Sequence, residues 1–244
     1  MGLKSFVKFF SLLLFVIFIV FISFSLFIIK FKSQSFLGKI VRNYLLRMPI
    51  VTSILKLDEP GDAKYFYIDP KKGSTLVLLV SVNGEIVNEN IEYWLEEMID
   101  VTLGKNVIVS KKLNYEYPKK DFLTDEDLNM IREEVSSKNK ADLYIIYTSS
   151  YALKKTSVGV VTNKDTIFIF RDAIENLSEK GYVKDILEKT TLMHEWGHLL
   201  GLDHLEEDGC IMSERVEVYD VFPLGVDLPT EYCQEEIEEI RRQF

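Results

Sequence analysis

Histidine and cysteine are both scarce in this 244-residue chain, with three of the first and two of the second. Two cysteines exclude a disulfide-rich miniprotein and a four-cysteine zinc ribbon. No P-loop and no Gly-x-Gly-x-x-Gly occurs, so the nucleotide and dinucleotide fingerprints are missing. Repeats and low-complexity tracts are also missing. Acidic residues are absent from the first 57 positions, where eight basic ones stand: Lys4, Lys8, Lys30, Lys32, Lys39, Arg42, Arg47 and Lys56. From Asp58 onward the balance reverses. The 29 basic residues less those eight leave 21 against 38 acidic, a charge of −17. A field of that sign repels phosphate backbones, so nucleic acid is not expected as a partner. With 47% apolar and 27% charged residues, the chain is not intrinsically disordered.

Residues 9–29 carry no charge, and only Ser11, Ser23 and Ser25 among them are polar. As a helix rising about 1.5 Å per residue, such a run spans a hydrocarbon core of roughly 30 Å. The expectation is an N-terminal transmembrane anchor over residues 1–30. A cleavable signal peptide is the alternative, with Ser33 and Ser35 near a cleavage site, but its apolar region is usually only about 7–15 residues. Residues 31–60 read as a basic juxtamembrane segment. Within it Leu37, Ile40, Val41, Tyr44, Leu45 and Met48 recur at helical spacing up to Pro49. That segment reads equally as an amphipathic helix on anionic lipid and as a packed helix or linker. The basic residues after the span lean towards a cytoplasmic domain on the positive-inside rule, a bias that long translocated domains disregard. We expect a single-pass membrane protein with its domain on the extracytoplasmic side, orientation left open.

Residues 61–244 read as one globular domain. Thr75–Val82 is an apolar run of strand length. Asn90–Leu103 is a helix closed by Gly104, and Val107–Val109 is a short strand. Thr124–Val135 is a helix with Thr124 and Asp127 in capping positions. Leu143–Thr148, Val158–Val161 and Thr166–Phe170 read as strands, and helices follow over about 182–200 and 230–242. Strands and helices alternate at first, which favours a mixed twisted sheet packed on helices. The sequon at Asn176, Leu177 and Ser178 reads as coincidence.

All three histidines fall within eleven residues: His194, His198 and His204. Side chains four apart on a helix share a face, about 5–6 Å apart at Cβ, so His194 and His198 can reach one metal ion. A catalytic zinc takes three protein ligands and keeps one position open. The third ligand requires the chain to leave the helix and turn back. Gly201 stands where that turn is needed, since glycine takes a left-handed backbone at little cost. His204 then arrives as the third ligand. Glu195 has the reach to deprotonate a zinc-bound water, whose pKa falls to about 7. A bare His-Glu-x-x-His occurs by chance, but here the glycine and the third histidine also stand at the required offsets.

The stretch from His194 to His204 resembles the extended zinc motif of the metzincin metallopeptidases, with every position of it present. Met212, eight residues after His204, is similar in context to the methionine turn that lies beneath the metal in that clan. The short gap resembles matrixins and archaemetzincins, and Cys210, two before the methionine, resembles archaemetzincins. The resemblance implies an α+β, metzincin-like zincin fold, with a twisted mixed five-stranded sheet packed on helices and an active-site helix carrying the motif. Archaemetzincins usually hold a second, structural zinc on four cysteines. Leu205 and Glu236 stand where two of those would be, so a second metal is not expected. Both cysteines follow the zinc motif, which leaves none upstream for a cysteine switch.

The reading is a membrane-anchored zinc endopeptidase acting on peptide or protein substrates, with Glu195 as general base, His194, His198 and His204 on Zn2+, and Gly201 and Met212 in structural roles. The alternative is a catalytically silent peptide-binding or scaffolding module, against which the intact Glu195 argues. Val158–Val161 reads either as the edge along which substrate lies or as an ordinary strand. The specificity loop falls within Ser213–Leu228. Cys210 and Cys233 form a disulfide if the domain faces an oxidising compartment, and stay thiols in a reducing one.

Overall fold

A computed structural model describes residues 10–17, 19–20, 22–24, 27, 36–48, 52, 55–151, 157–177, 180–206, 209–213 and 228–243. The chain divides into two compact units, Met1–Leu57 and Asp58–Phe244.

In the first unit the described residues between 10 and 27 are helical and exposed, and helix α1 spans Phe36–Leu46. The membrane-spanning helix expected over 9–29 falls partly outside the described residues, and no helix among the described residues is long and apolar enough to cross a membrane. Residues 9, 18, 21, 25, 26, 28 and 29 of the run lie outside the described residues.

The second unit opens with a short helix, α2 (Lys64–Ile68), followed by β1 (Ser74–Val82), α3 (Ile91–Leu103), β2 (Asn106–Tyr115), α4 (Asp125–Lys138) and β3 (Leu143–Thr148). Then come β4 (Gly159–Asn163), β5 (Thr166–Phe170), α5 (Arg171–Leu177), α6 (Gly181–Leu199) and α7 (Gln234–Arg241). The strands form one five-stranded sheet in the order β2-β1-β3-β5-β4. β1 pairs in parallel with β2 and β3, β3 pairs in parallel with β5, and β4 alone runs antiparallel, against β5. The mixed, helix-covered sheet of the sequence reading is thus present.

Central strands are largely apolar because both faces are covered. Every residue of β3 and β5 is buried, whereas β4 is half-buried beyond Gly159, as suits an edge. β2 is longer than the Val107–Val109 run foretold. At the opposite edge it tolerates polar residues such as Ser110, Lys112 and Asn114, which broke the apolar signal. α2 and α5 were not read from sequence at all, and at five and seven residues they are too short to show a period. The core joins the sheet to α3 through Leu95, Met98 and Ile99, to α4 through Leu128 and Ile131, and to α6 through Leu192, Trp196 and Leu199.

Candidate metal centre and active site

Helix α6 carries the chemistry, and it is fixed near its start by charge. Glu188 is fully buried and accepts hydrogen bonds from Arg171 Nη1 at 2.6 Å, Tyr147 Oη at 2.6 Å and Asn88 Nδ2 at 3.2 Å. Asn88 also donates to Asp185 at 2.8 Å. Burial pushes the Glu188 carboxyl above its ordinary range, and the three donors oppose it. A carboxylate so placed ties α6 to β3, to α5 and to the loop after β1. Farther along, Trp196 Nε1 donates to Thr102 Oγ1 on α3 at 3.1 Å, and its ring meets Tyr67 edge-on with centroids 4.9 Å apart.

The helix ends as the sequence reading requires. Gly201 sits at φ +81°, Gly201 N donates to His198 O at 3.0 Å, and Leu202 N reaches back to Gly197 O at 3.0 Å. This pair of bonds is the Schellman arrangement, which satisfies the last carbonyls while reversing the chain. The reversal brings His204 to the other two histidines. The Nε2 atoms stand 3.1 Å apart for His194 and His198, 3.2 Å for His194 and His204, and 3.1 Å for His198 and His204. Zinc–nitrogen bonds of about 2.0–2.1 Å in a tetrahedron separate the nitrogens by roughly 3.3–3.4 Å, so the triad fits that ion closely. The opposite ring nitrogens are tethered: His194 Nδ1 lies 2.7 Å from Ile211 O and His198 Nδ1 lies 3.2 Å from Leu202 O. A carbonyl can only accept, so each Nδ1 carries the proton and each Nε2 keeps its lone pair for the metal. His194 and the adjacent Glu195 are both buried.

Met212 is fully buried, with its sulfur against Gly197 of α6. Leu205 N donates to Met212 O at 2.8 Å, and Met212 N donates to Glu236 Oε1 at 2.5 Å. Glu236 also accepts from Cys233 N at 2.7 Å, and burial raises its carboxyl above the ordinary range against those bonds. Cys210 and Cys233 are joined by a disulfide with their Cα atoms 5.2 Å apart. Of the two states left open by the sequence, this is the oxidised one. Residues 214–227 of the expected specificity loop lie outside the described residues.

Two glycines that sequence reasoning passed over hold these parts together. A Cβ on Gly197 would lie 2.3 Å from Met212 Sδ, so the methionine occupies the space a side chain would take. A Cβ on Gly159 would lie 2.5 Å from Thr191 Cγ2 and 3.4 Å from Glu195 Cγ, which brings edge strand β4 directly against the Glu195 face of α6. Gly197 did leave a signal, because a glycine inside a helix costs about 1 kcal/mol relative to alanine and so marks a close approach. Gly159 had only its place in a strand to mark it.

The sequence model of the zincin-like metallopeptidase family matches residues 122–208, a span that includes all three histidines and Glu195. The activity class is that of a zinc metallopeptidase. The cofactor implied is zinc, and His194, His198 and His204 form a group able to hold it. No curated protein matches the sequence. In fold, the chain is similar to the crystal structure of archaemetzincin from Methanopyrus kandleri, with a TM-score of 0.52 and 19% identity over 71% of this chain and 97% of that one. Archaemetzincin from Archaeoglobus fulgidus, complexed with malonate, gives a TM-score of 0.45 at 13% identity over 67% and 99% of the two chains. A zinc-dependent peptidase from Methanocorpusculum labreanum gives 0.42 at 17% identity over 68% and 98%. The resemblance to archaemetzincins read from the motif thus extends to the fold.

Proposed function

We propose that this zinc metallopeptidase is an endopeptidase held at a membrane by residues 1–30, with 31–60 as a basic linker and 61–244 as the peptidase domain. His194, His198 and His204 hold the metal, and Glu195 is the general base. Gly201 makes the turn that delivers His204, and Met212 floors the site. The single observation that carries this reading is the convergence of three histidine Nε2 atoms, two of them on rings tethered through Nδ1, next to the buried Glu195 side chain. Zinc bound there supplies Lewis-acid polarisation of a carbonyl and brings the pKa of water to about 7. Glu195 accepts the proton of the attacking water and later delivers it to the nitrogen of the leaving amine. β4 ends the described sheet, so an extended peptide can pair along its free edge and run through the site in both directions, as endopeptidase action requires. The uncharged run at 9–29, flanked by lysines, supports the anchor.

The test is Glu195→Gln. It keeps size and leaves the ligands alone, so zinc per chain should stay at one. Peptide hydrolysis should fall at least about 100-fold, the lower end for a positioned base. Glu206→Gln, outside the triad, serves as control and should change little. Equal hydrolysis by Glu195→Gln and wild type would remove Glu195 from the mechanism. Zinc binding with no hydrolysis of any peptide in a broad library would leave a silent binding module.

A further inference from the structure

The free edge of β4 is not evenly available. Val158 O accepts from Phe170 N at 2.8 Å, and the register pairs Gly159 with Ile169 and Val160 with Phe168. Antiparallel pairs alternate between bonded and non-bonded, so the Val158 and Val160 positions bond to β5. The N–H and C=O of Gly159 therefore point away from β5, to the side where no described strand pairs. That outward carbonyl is already engaged. Ser157 Oγ, itself buried, donates to Gly159 O at 2.7 Å. The place matters because a Cβ on Gly159 would lie 3.4 Å from Glu195 Cγ, so this stretch of β4 runs past the helix face that bears Glu195.

We infer that Ser157 is a specificity-determining residue: by capping the Gly159 carbonyl it selects peptides that offer no backbone N–H there, namely those with proline or another N-substituted residue at that one position. This rests on the endopeptidase reading above. An ordinary residue at that position must displace the serine hydroxyl or share the carbonyl with it, whereas an N-substituted one loses nothing. The neighbouring outward groups, on Val161, have no such cap among the described residues, so the selection falls on a single subsite.

The experiment uses the zinc-loaded full chain and a fluorogenic peptide that it cleaves. The peptide is then N-methylated one residue at a time at the three positions on each side of the scissile bond. The readout is kcat/KM of the parent over that of each methylated form. Wild type should tolerate methylation at one position with less than about a three-fold loss. Ser157→Ala should raise the ratio at that position alone by about 3- to 10-fold, the range of one net hydrogen bond. Ser157→Thr, which retains a hydroxyl, should behave as wild type, and a proline at the tolerant position should be accepted too. A ratio unchanged in Ser157→Ala, or raised at every position, overturns the inference while leaving the peptidase reading intact. Should Ser157→Ala not fold, the wild-type profile decides: a required N–H at every position overturns it. Cleavage of no peptide at all overturns both readings together.

Discussion

Gly159 places nothing between β4 and α6, and Thr191 Cγ2 fills what its side chain would need. Gly159→Ala must therefore move either the strand or the helix face that bears Glu195. We expect kcat to fall about 10- to 100-fold with KM nearly unchanged, because a displaced base costs orientation more than binding. Thr191→Ser removes the nearest clash, the methyl at 2.5 Å, but leaves the Phe168 carbonyl oxygen 3.0 Å from the new Cβ, so Gly159→Ala combined with Thr191→Ser should recover part of the loss in steady-state kinetics. Recovery absent would mean that the glycine is needed for some other reason. His194, Glu195, His198 and His204 were legible in the sequence because their spacing is itself chemical, tied to the pitch of a helix and the valence of a metal. Gly159, Thr191 and Ser157 were not, since what defines them is a contact between β4 and its surroundings that no local pattern encodes.

Helix α4 shows how much an element owes to its first turn. Thr124 and Asp127 form a reciprocal capping box, and Asp127 also accepts from Tyr117 Oη at 2.7 Å and Lys120 Nζ at 2.6 Å. Burial alone would raise this carboxyl. The bonds from Lys120, Thr124 and Tyr117 outweigh burial and hold it well below the usual carboxylate range. A depressed carboxylate stabilises the fold above its unfolded pKa of about 3.9, and that contribution is lost as pH falls through the folded value. Asp127→Asn should accordingly lower Tm most at neutral pH, and the gap to wild type should narrow steadily below about pH 4. A gap independent of pH would show that shape, not charge, matters at this cap. The start of α4 was legible from sequence because the box is written in residues three apart. The full length of β2 was not, because an edge strand is defined by its neighbour's hydrogen bonds and not by its own apolar side chains.

At the scale of the whole molecule the chain is two units of opposite charge: a basic, apolar Met1–Leu57 and an acidic Asp58–Phe244. The second contains the sheet, the triad, the disulfide and the capping network, so residues 58–244 expressed alone should fold and bind one zinc. If the first unit is the anchor, the full chain should sediment with membranes while the shortened one stays in the supernatant. Co-sedimentation of both would assign the attachment elsewhere. Composition marks the change of charge at Asp58, just before the 61–244 domain expected from the sequence. The fold of the second unit came through only in part, since strand order depends on crossovers between distant segments. The bridge between Cys210 and Cys233 has one further effect. It closes the intervening stretch into a covalent ring, so a proteolytic nick anywhere from 214 to 227 would not release either half. Such a nicked enzyme would migrate as one chain without reductant and as two with it, with Met212 and helix α7 still in a single covalent molecule until the bridge is reduced.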